Sequence, residues 1–300
     1  MIADNNILTP LAFYTDKKYQ DRYKSYGYGE IYPLFAPNNK ILPFQFEVGF
    51  IYEVGVSYSN KLIYVRPDGT ETTSVENLAI NIDFITLGGR SYAVYNGIYT
   101  GQGFSTINEG RYYIEATYNK NDVSYKYYSE IFTVVNTLQP YLCLKWWDEE
   151  NMVMDGGVLI YEGTSYNSRD YKNQLYLPTE VGKPAYEFEE EGEERNGYFF
   201  AEKQISKKRY QFNFLAPEYV CDALRLMRMH DYITIECNGI TYYADQANVE
   251  VNWQTQGNLA SVTVTFYCST VAKKVGKMTP YLTGGDYNDD YNDDYNNEEP

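Results

Sequence analysis

The sequence predicts a mainly β protein: an immunoglobulin-like β-sandwich, then a sandwich- or barrel-like β domain that carries one packed α-helix. Three observations lead there. Apolar and polar residues alternate with period two in segment after segment. Turn-forming residues separate those segments at short intervals. A helical periodicity emerges clearly only once, after Pro217. Composition agrees, because the chain of 300 residues holds 35 Tyr and 14 Phe, and aromatic side chains favour pleated, half-buried surfaces.

The first half reads as strands and turns. In "FQFEVGFIYEVGVSY", Phe44, Phe46, Val48, Phe50, Tyr52, Val54, Val56 and Tyr58 alternate against Gln45, Glu47, Gly49, Glu53 and Ser57, which predicts one extended run. "LIYVRPDGTETT" places a Pro67-Asp68-Gly69 turn after a short strand. "INIDF" and "RSYAVY" give further short strands, and "NEGRYYIEATYNKNDVSYKYYSEIFTVV" reads as a hairpin turning at Asn119 to Asp122. Many short strands without a helix predict a sandwich domain over residues 1–136.

The second β domain is expected over residues 137–277, with its helix at 217–229. Tyr141 to Trp147 forms its first strand, so Trp146 and Trp147 point to opposite faces, one into a core and one to the surface. The acidic stretch "YEFEEEGEERNGYFF" reads as a solvated loop. Tyr210, Phe212 and Phe214 mark a half-buried strand. Pro217 then suits the first helical position, with Ala216 as a poor cap. Val220, Ala223, Leu224 and Met227 form the helix's apolar stripe, and Arg228 and His230 sit where cations complement a helix C-terminus. Beyond it, Asn238-Gly239 is a strong hairpin signal in a four-strand meander that the helix covers. Residues 278–300 form an acidic tail in which "DYND" recurs at 286 and 290 and "DYNN" follows at 294; this repeat of acid and amide, without aliphatic residues, builds no core. It is either a disordered solubilising tail or a strip that docks on a partner through Tyr287, Tyr291 and Tyr295 with Asp290 and Asp294.

Charge narrows the partners. Formal net charge is −16, and the last fifteen residues hold seven acids and no base. Such a chain repels phosphate backbones and anionic bilayers, so neither nucleic acid nor membrane is an expected partner. The N-terminal stretch "MIADNNILTPLAFYTDKK" lacks the pattern of a secretory signal, which points to synthesis in a cytoplasm. The four cysteines are scattered, without a C-x-x-C pair, which argues against a disulfide framework or a zinc knuckle.

Catalytic patterns are sparse. His230 is the single histidine, so any nucleophilic triad would have to use it, and its place at a helix end favours a structural role. Phosphate-binding and nucleophile-elbow motifs are missing from the sequence. Glu189, Glu190, Glu191, Glu193 and Glu194 could hold a hard cation, although acids in a loop are more often solvated. The reading is therefore non-enzymatic, with no cofactor and no metal.

At "YLCLKWWDEENMVMDGGVLIY", at "GKPAYEFEEEGEERNGYFFAEKQISKKRYQFNFLAPEYVCDALRLMRMHDYI" and at "WQTQGNLASVTVTFY", the chain resembles tail-associated structural proteins of phages and prophages of Bacteroides-type hosts, including crAss-like phages. The resemblance spans roughly residues 140–275, and "GRYYIEATY" and "YYSEIFTVV" are similar to the immunoglobulin-like half of such proteins. It implies a virion protein of the tail, baseplate or portal-proximal rings, assembled as a symmetric oligomer with other tail proteins and without an active site. Head-to-tail packing requires two different, mutually complementary surfaces on each subunit. Arg225 and Arg228 on the helix, together with the tail's tyrosines and aspartates, are the expected partner contacts. Two other classes compete: a carbohydrate- or receptor-binding module, suggested by the aromatic content, and a glycosidase, which would need two convergent carboxylates.

Overall fold

The computed structural model describes residues 9–20, 34–50, 52–53, 55–97, 107–136, 141–154, 157–163, 169–195, 198–253, 259–268 and 272–275. In chain order its strands are β1 (Phe13–Tyr14), β2 (Leu34–Pro37), β3 (Phe44–Val48), β4 (Ser57–Val65), β5 (Glu71–Val75), β6 (Asp83–Leu87) and β7 (Arg90–Tyr95). There follow β8 (Gly110–Lys120), β9 (Val123–Ser129), β10 (Phe132–Val135), β11 (Leu142–Trp147), β12 (Met152–Met154), β13 (Gly157–Leu159) and β14 (Asn173–Leu177). The last are β15 (Ala185–Arg195), β16 (Tyr198–Ala216), β17 (Tyr232–Cys237), β18 (Ile240–Trp253), β19 (Ala260–Cys268) and β20 (Ala272–Val275), with the helix α1 (Glu218–Arg225) between β16 and β17. The protein is thus mainly β with a single α-helix among the described residues. The chain divides into two compact units, Met1–Lys183 with Tyr210–Tyr267, and Pro184–Arg209 with Cys268–Pro300.

In the first unit one long sheet runs β1-β9-β8-β10-β2-β14-β11-β17-β18-β19, and β4 pairs with both β5 and β8. A smaller sheet, β3-β7-β6, lies against it as the second layer of a sandwich. The contact between layers is aromatic: Phe13 meets Phe44 at 4.6 Å, Phe46 meets Tyr127 at 4.9 Å and Phe84 meets Tyr118 at 5.3 Å between ring centres. Such offset and tilted rings add to the area they bury. Much of the tyrosine content is therefore core, with Tyr95, Tyr113 and Tyr118 essentially inaccessible.

On its other side, β7 sends Tyr92 and Val94 into a buried cluster with Leu159, Ile160, Tyr161, Tyr171 and Leu226. Gln45 ties the same regions, its Oε1 accepting from the Ile160 amide at 2.6 Å. Residues on both sides of the expected 136/137 boundary thus share a core and, through β2 beside β14, a sheet. The structural division falls at Lys183/Pro184 and Arg209/Tyr210.

Several turns sit where the sequence puts them. Asn121 and Asp122 have φ of 50° and 63°, and Asn238 and Gly239 have 51° and 77°, the left-handed pairs that tight hairpins require. The alternating run 44–58 is not one strand. It ends at Val48 and resumes at Ser57, in different sheets, and Gly55 takes φ 109° between them. The meander after the helix has three strands, β17, β18 and β19, rather than four, because Ile240–Trp253 runs unbroken. The helix itself is shorter than 217–229: α1 ends at Arg225 and a 3₁₀ turn, Met227–Met229, completes it. Pro217 is the cap rather than the first helical residue, its carbonyl accepting from Val220 and Cys221. Val220, Ala223, Leu224 and Met227 are buried as the periodicity requires.

In the second unit β15 pairs antiparallel with the Tyr198–Arg209 portion of β16, from Ala185↔Arg209 to Arg195↔Tyr198, with a bulge between Glu191 and Gly192. On the other edge of β16, β20 pairs at Lys203↔Val275 through Ser206↔Ala272. The acidic stretch is therefore a strand and not a solvated loop. Three of its glutamates meet bases across the ladder: Glu187 with Arg209 at 2.9 Å, Glu189 with Lys207 at 2.7 Å and Glu191 with Lys203 at 2.7 Å. Opposite charges facing each other across strands offset the low β-propensity of glutamate.

Candidate interaction surfaces

The amphipathic strands β14, β11, β17 and β18 build one clear site in the first unit. Their register aligns side chains in rows. Leu142, Leu144, Trp146, Leu175, Ile233 and Ile235 point into the core. Alternate residues floor a groove of about 510 Å³, walled by the Lys40–Leu42 segment and by Asn96 and Gly97. Trp146 is fully buried, while Trp147 is part-exposed on the groove side, the split that strand alternation demands.

The groove floor is polar and internally paired. Lys145 donates to Glu236 at 2.6 Å, and Gln174 donates to the Tyr176 hydroxyl at 2.6 Å. Trp147 is flanked by its row neighbours: Tyr232 stacks on it with ring planes 13° apart, and the Lys172 ammonium lies 4.0 Å from the indole centre. Aromatic and cation–π contacts of this kind fix the indole in place.

Beneath the helix end lies a directional hydrogen-bond chain. His230 Nδ1 is 2.8 Å from the Leu226 carbonyl, which can only accept, so Nδ1 carries the proton. Its Nε2 then accepts from the Tyr161 hydroxyl at 2.6 Å. The Tyr161 oxygen in turn accepts from Asn173 Nδ2 at 2.6 Å, and Asn173 Oδ1 accepts from Tyr171 at 3.3 Å. Burial pushes the His230 pKa below its ordinary value, and burial likewise raises the Tyr161 and Tyr171 hydroxyls. His230 is thus a buried, neutral tie between the helix end and the core, not a cation complementing the helix dipole. The sequence offers no local signal for this chain, since its members lie 12 and 69 residues apart.

The expected partner contacts fare differently. Arg225 is exposed, 3.7 Å from Asp222, beside a shallow cavity shared with Glu218, Val251 and Trp253. Arg228 is exposed on the 3₁₀ turn. Tyr287, Asp290, Tyr291, Asp294 and Tyr295 lie outside the described residues.

In the second unit, Tyr186 and Phe188 stand on the face of β15 opposite the charge ladder, 72% and 63% exposed. They are among the largest exposed apolar surfaces described, and β15 has a hydrogen-bonded neighbour on one side only among the described residues.

Potential chemical centres are also placed. Strand alternation parts the acidic run: Glu189 and Glu191 face lysines, and Glu190 accepts from Gln204 on the other face. No three His, Cys, Asp or Glu side chains among the described residues converge as a metal would require. All four cysteines are free thiols; burial raises Cys143 and Cys221 to about 11, so neither is a ready nucleophile. No helix among the described residues is long and apolar enough to cross a membrane. No protein-family model matches the chain, and no curated protein matches it.

Proposed function

We propose that the chain is a non-enzymatic structural subunit of a phage virion, built into the tail or a portal-proximal ring after synthesis in the host cytoplasm, and assembling as a symmetric oligomer with itself and with other tail proteins. One observation carries this reading: the β15–β16 hairpin. Over eleven paired residues per strand, Tyr186 and Phe188 stand open on one face of β15 and a charge ladder on the other, so the described side chains of β15 bury little apolar surface. Two-stranded hairpins are marginal in water, and three strands gain stability only with a buried face. A long hairpin with exposed aromatics fits an element completed by a neighbouring subunit. The resemblance of residues 140–275 to tail-associated proteins points the same way. Light scattering of the full chain across concentrations tests it. A closed or concentration-dependent oligomer is expected, reduced when Tyr186 and Phe188 are both replaced by Ser. A persistent monomer that also fails to join tail proteins from infected cells would refute the reading.

The groove over β11 favours a second reading, a carbohydrate- or receptor-binding module. Amide, hydroxyl and charged groups converge on a concave surface, and convergent polar groups are what orient a bound ligand. The faces of Trp147 are engaged by Tyr232 and Lys172, so a sugar would be held by hydrogen bonds to groups such as Asn96, Gln174 and Tyr243 rather than by stacking. Glycan-array binding by the wild type, lost in Gln174→Ala, would favour this reading over the first.

A further inference from the structure

Among the described residues, the three strands of the second unit end in two edges of opposite charge. Strand β15 forms one edge; its sequence, AYEFEEEGEER, holds six glutamates against one arginine. Strand β20 forms the other; its sequence, AKKV, holds two lysines and no acid. Both strands pair only with β16 among the described residues. Exposed edges present unpaired amides and carbonyls that template a further strand.

We infer that the β15 edge of one copy pairs with the β20 edge of the next, so that subunits join head to tail through a continuous sheet. This inference rests on the assembly reading above and names its contact. Charge decides between the possible pairings. Two β15 edges brought together across a two-fold axis oppose glutamates to glutamates, and two β20 edges oppose lysines to lysines. Like charges directly across strands are destabilising. Only the heterologous pairing sets acid against base, and heterologous contacts close into rings or propagate as filaments. Polarity follows as well. Both β15 and β20 run antiparallel to β16 and are therefore parallel to each other. A repeat that keeps strand direction makes the new pair parallel. The bulge after Glu191 confines regular pairing to Ala185–Glu191, which is ample for the four residues of β20.

A charge-swap experiment on the full chain tests this. One variant carries E189K and E190K; the other carries K273E and K274E. Each alone places like charges at the contact and should raise the concentration needed for assembly roughly tenfold or more, read by light scattering. Mixed in equal amounts, the two variants restore opposite charges at every contact and should co-assemble in strict alternation. Recovery in the mixture also shows that both variants are folded. Wild-type oligomers that persist unchanged in both variants would overturn the edge pairing and leave the assembly reading standing. Loss in each variant without recovery in the mixture would likewise overturn it. A wild type that stays monomeric removes the inference, and it removes the assembly reading as well when the chain also fails to join tail proteins from infected cells.

Discussion

Strands β11 and β15 share a period-two pattern and meet opposite fates. In β11, Leu142, Leu144 and Trp146 are fully buried while Lys145 and Trp147 look into the groove. In β15 both parities face outward, Tyr186 and Phe188 on one side and paired glutamates on the other. The difference lies in the neighbours. β11 is central, between β14 and β17, with a packed layer beneath it; β15 has one strand beside it among the described residues. Alternation fixes which residues share a face, but only a second layer turns a face into a core. Burial at about 25 cal/mol per Å² of apolar surface holds β11. Exposed ion pairs, each worth roughly 1 kcal/mol or less, hold β15.

Trp146→Ala should break the central strand outright, costing roughly 3–5 kcal/mol in denaturant unfolding, because it removes the largest fully buried side chain. Tyr161→Phe should cost about 1–3 kcal/mol in the same assay, since it leaves the buried His230 Nε2 and Asn173 Nδ2 unsatisfied. His230 adds a pH signature. Its folded pKa lies below the ordinary value near 6.5, so its contribution is fully present above that pH and is lost as pH falls through the lower folded value. As this is the chain's single histidine, the melting temperature should drop as pH falls below about 6.5 in wild type and much less in His230→Gln. On β15 the effects shrink. Lys207→Ala, which removes the partner of Glu189, should change unfolding by less than about 1 kcal/mol. Phe188→Ala should stay within about 0.5 kcal/mol while weakening the proposed oligomer, a split between folding and assembly that β11 variants cannot show. If Phe188→Ala unfolds the chain, the contrast between the two strands collapses.

What the sequence made legible was local. The alternation at Trp146-Trp147, the turns at Asn121-Asp122 and Asn238-Gly239, and the apolar stripe from Val220 to Met227 each lie within one window of residues. The hairpin was misread because its stabilising partners are distant: Lys203, Lys207 and Arg209 neutralise glutamates that, taken alone, look like a solvated run. The run from Phe44 to Tyr58 misled for the converse reason, since its periodicity continues across a break between two sheets. The groove and the His230 chain were illegible because both are assembled from strands and loops far apart in sequence.

The buried tie at His230 has a practical side. A protein with one imidazole, held in one tautomer by a carbonyl on one nitrogen and a phenol on the other, carries its own background-free spectroscopic label. Its ring signals report whether the helix end is seated on the core, in the free chain and in assemblies of this chain alone, without a dye, a tag or a substitution.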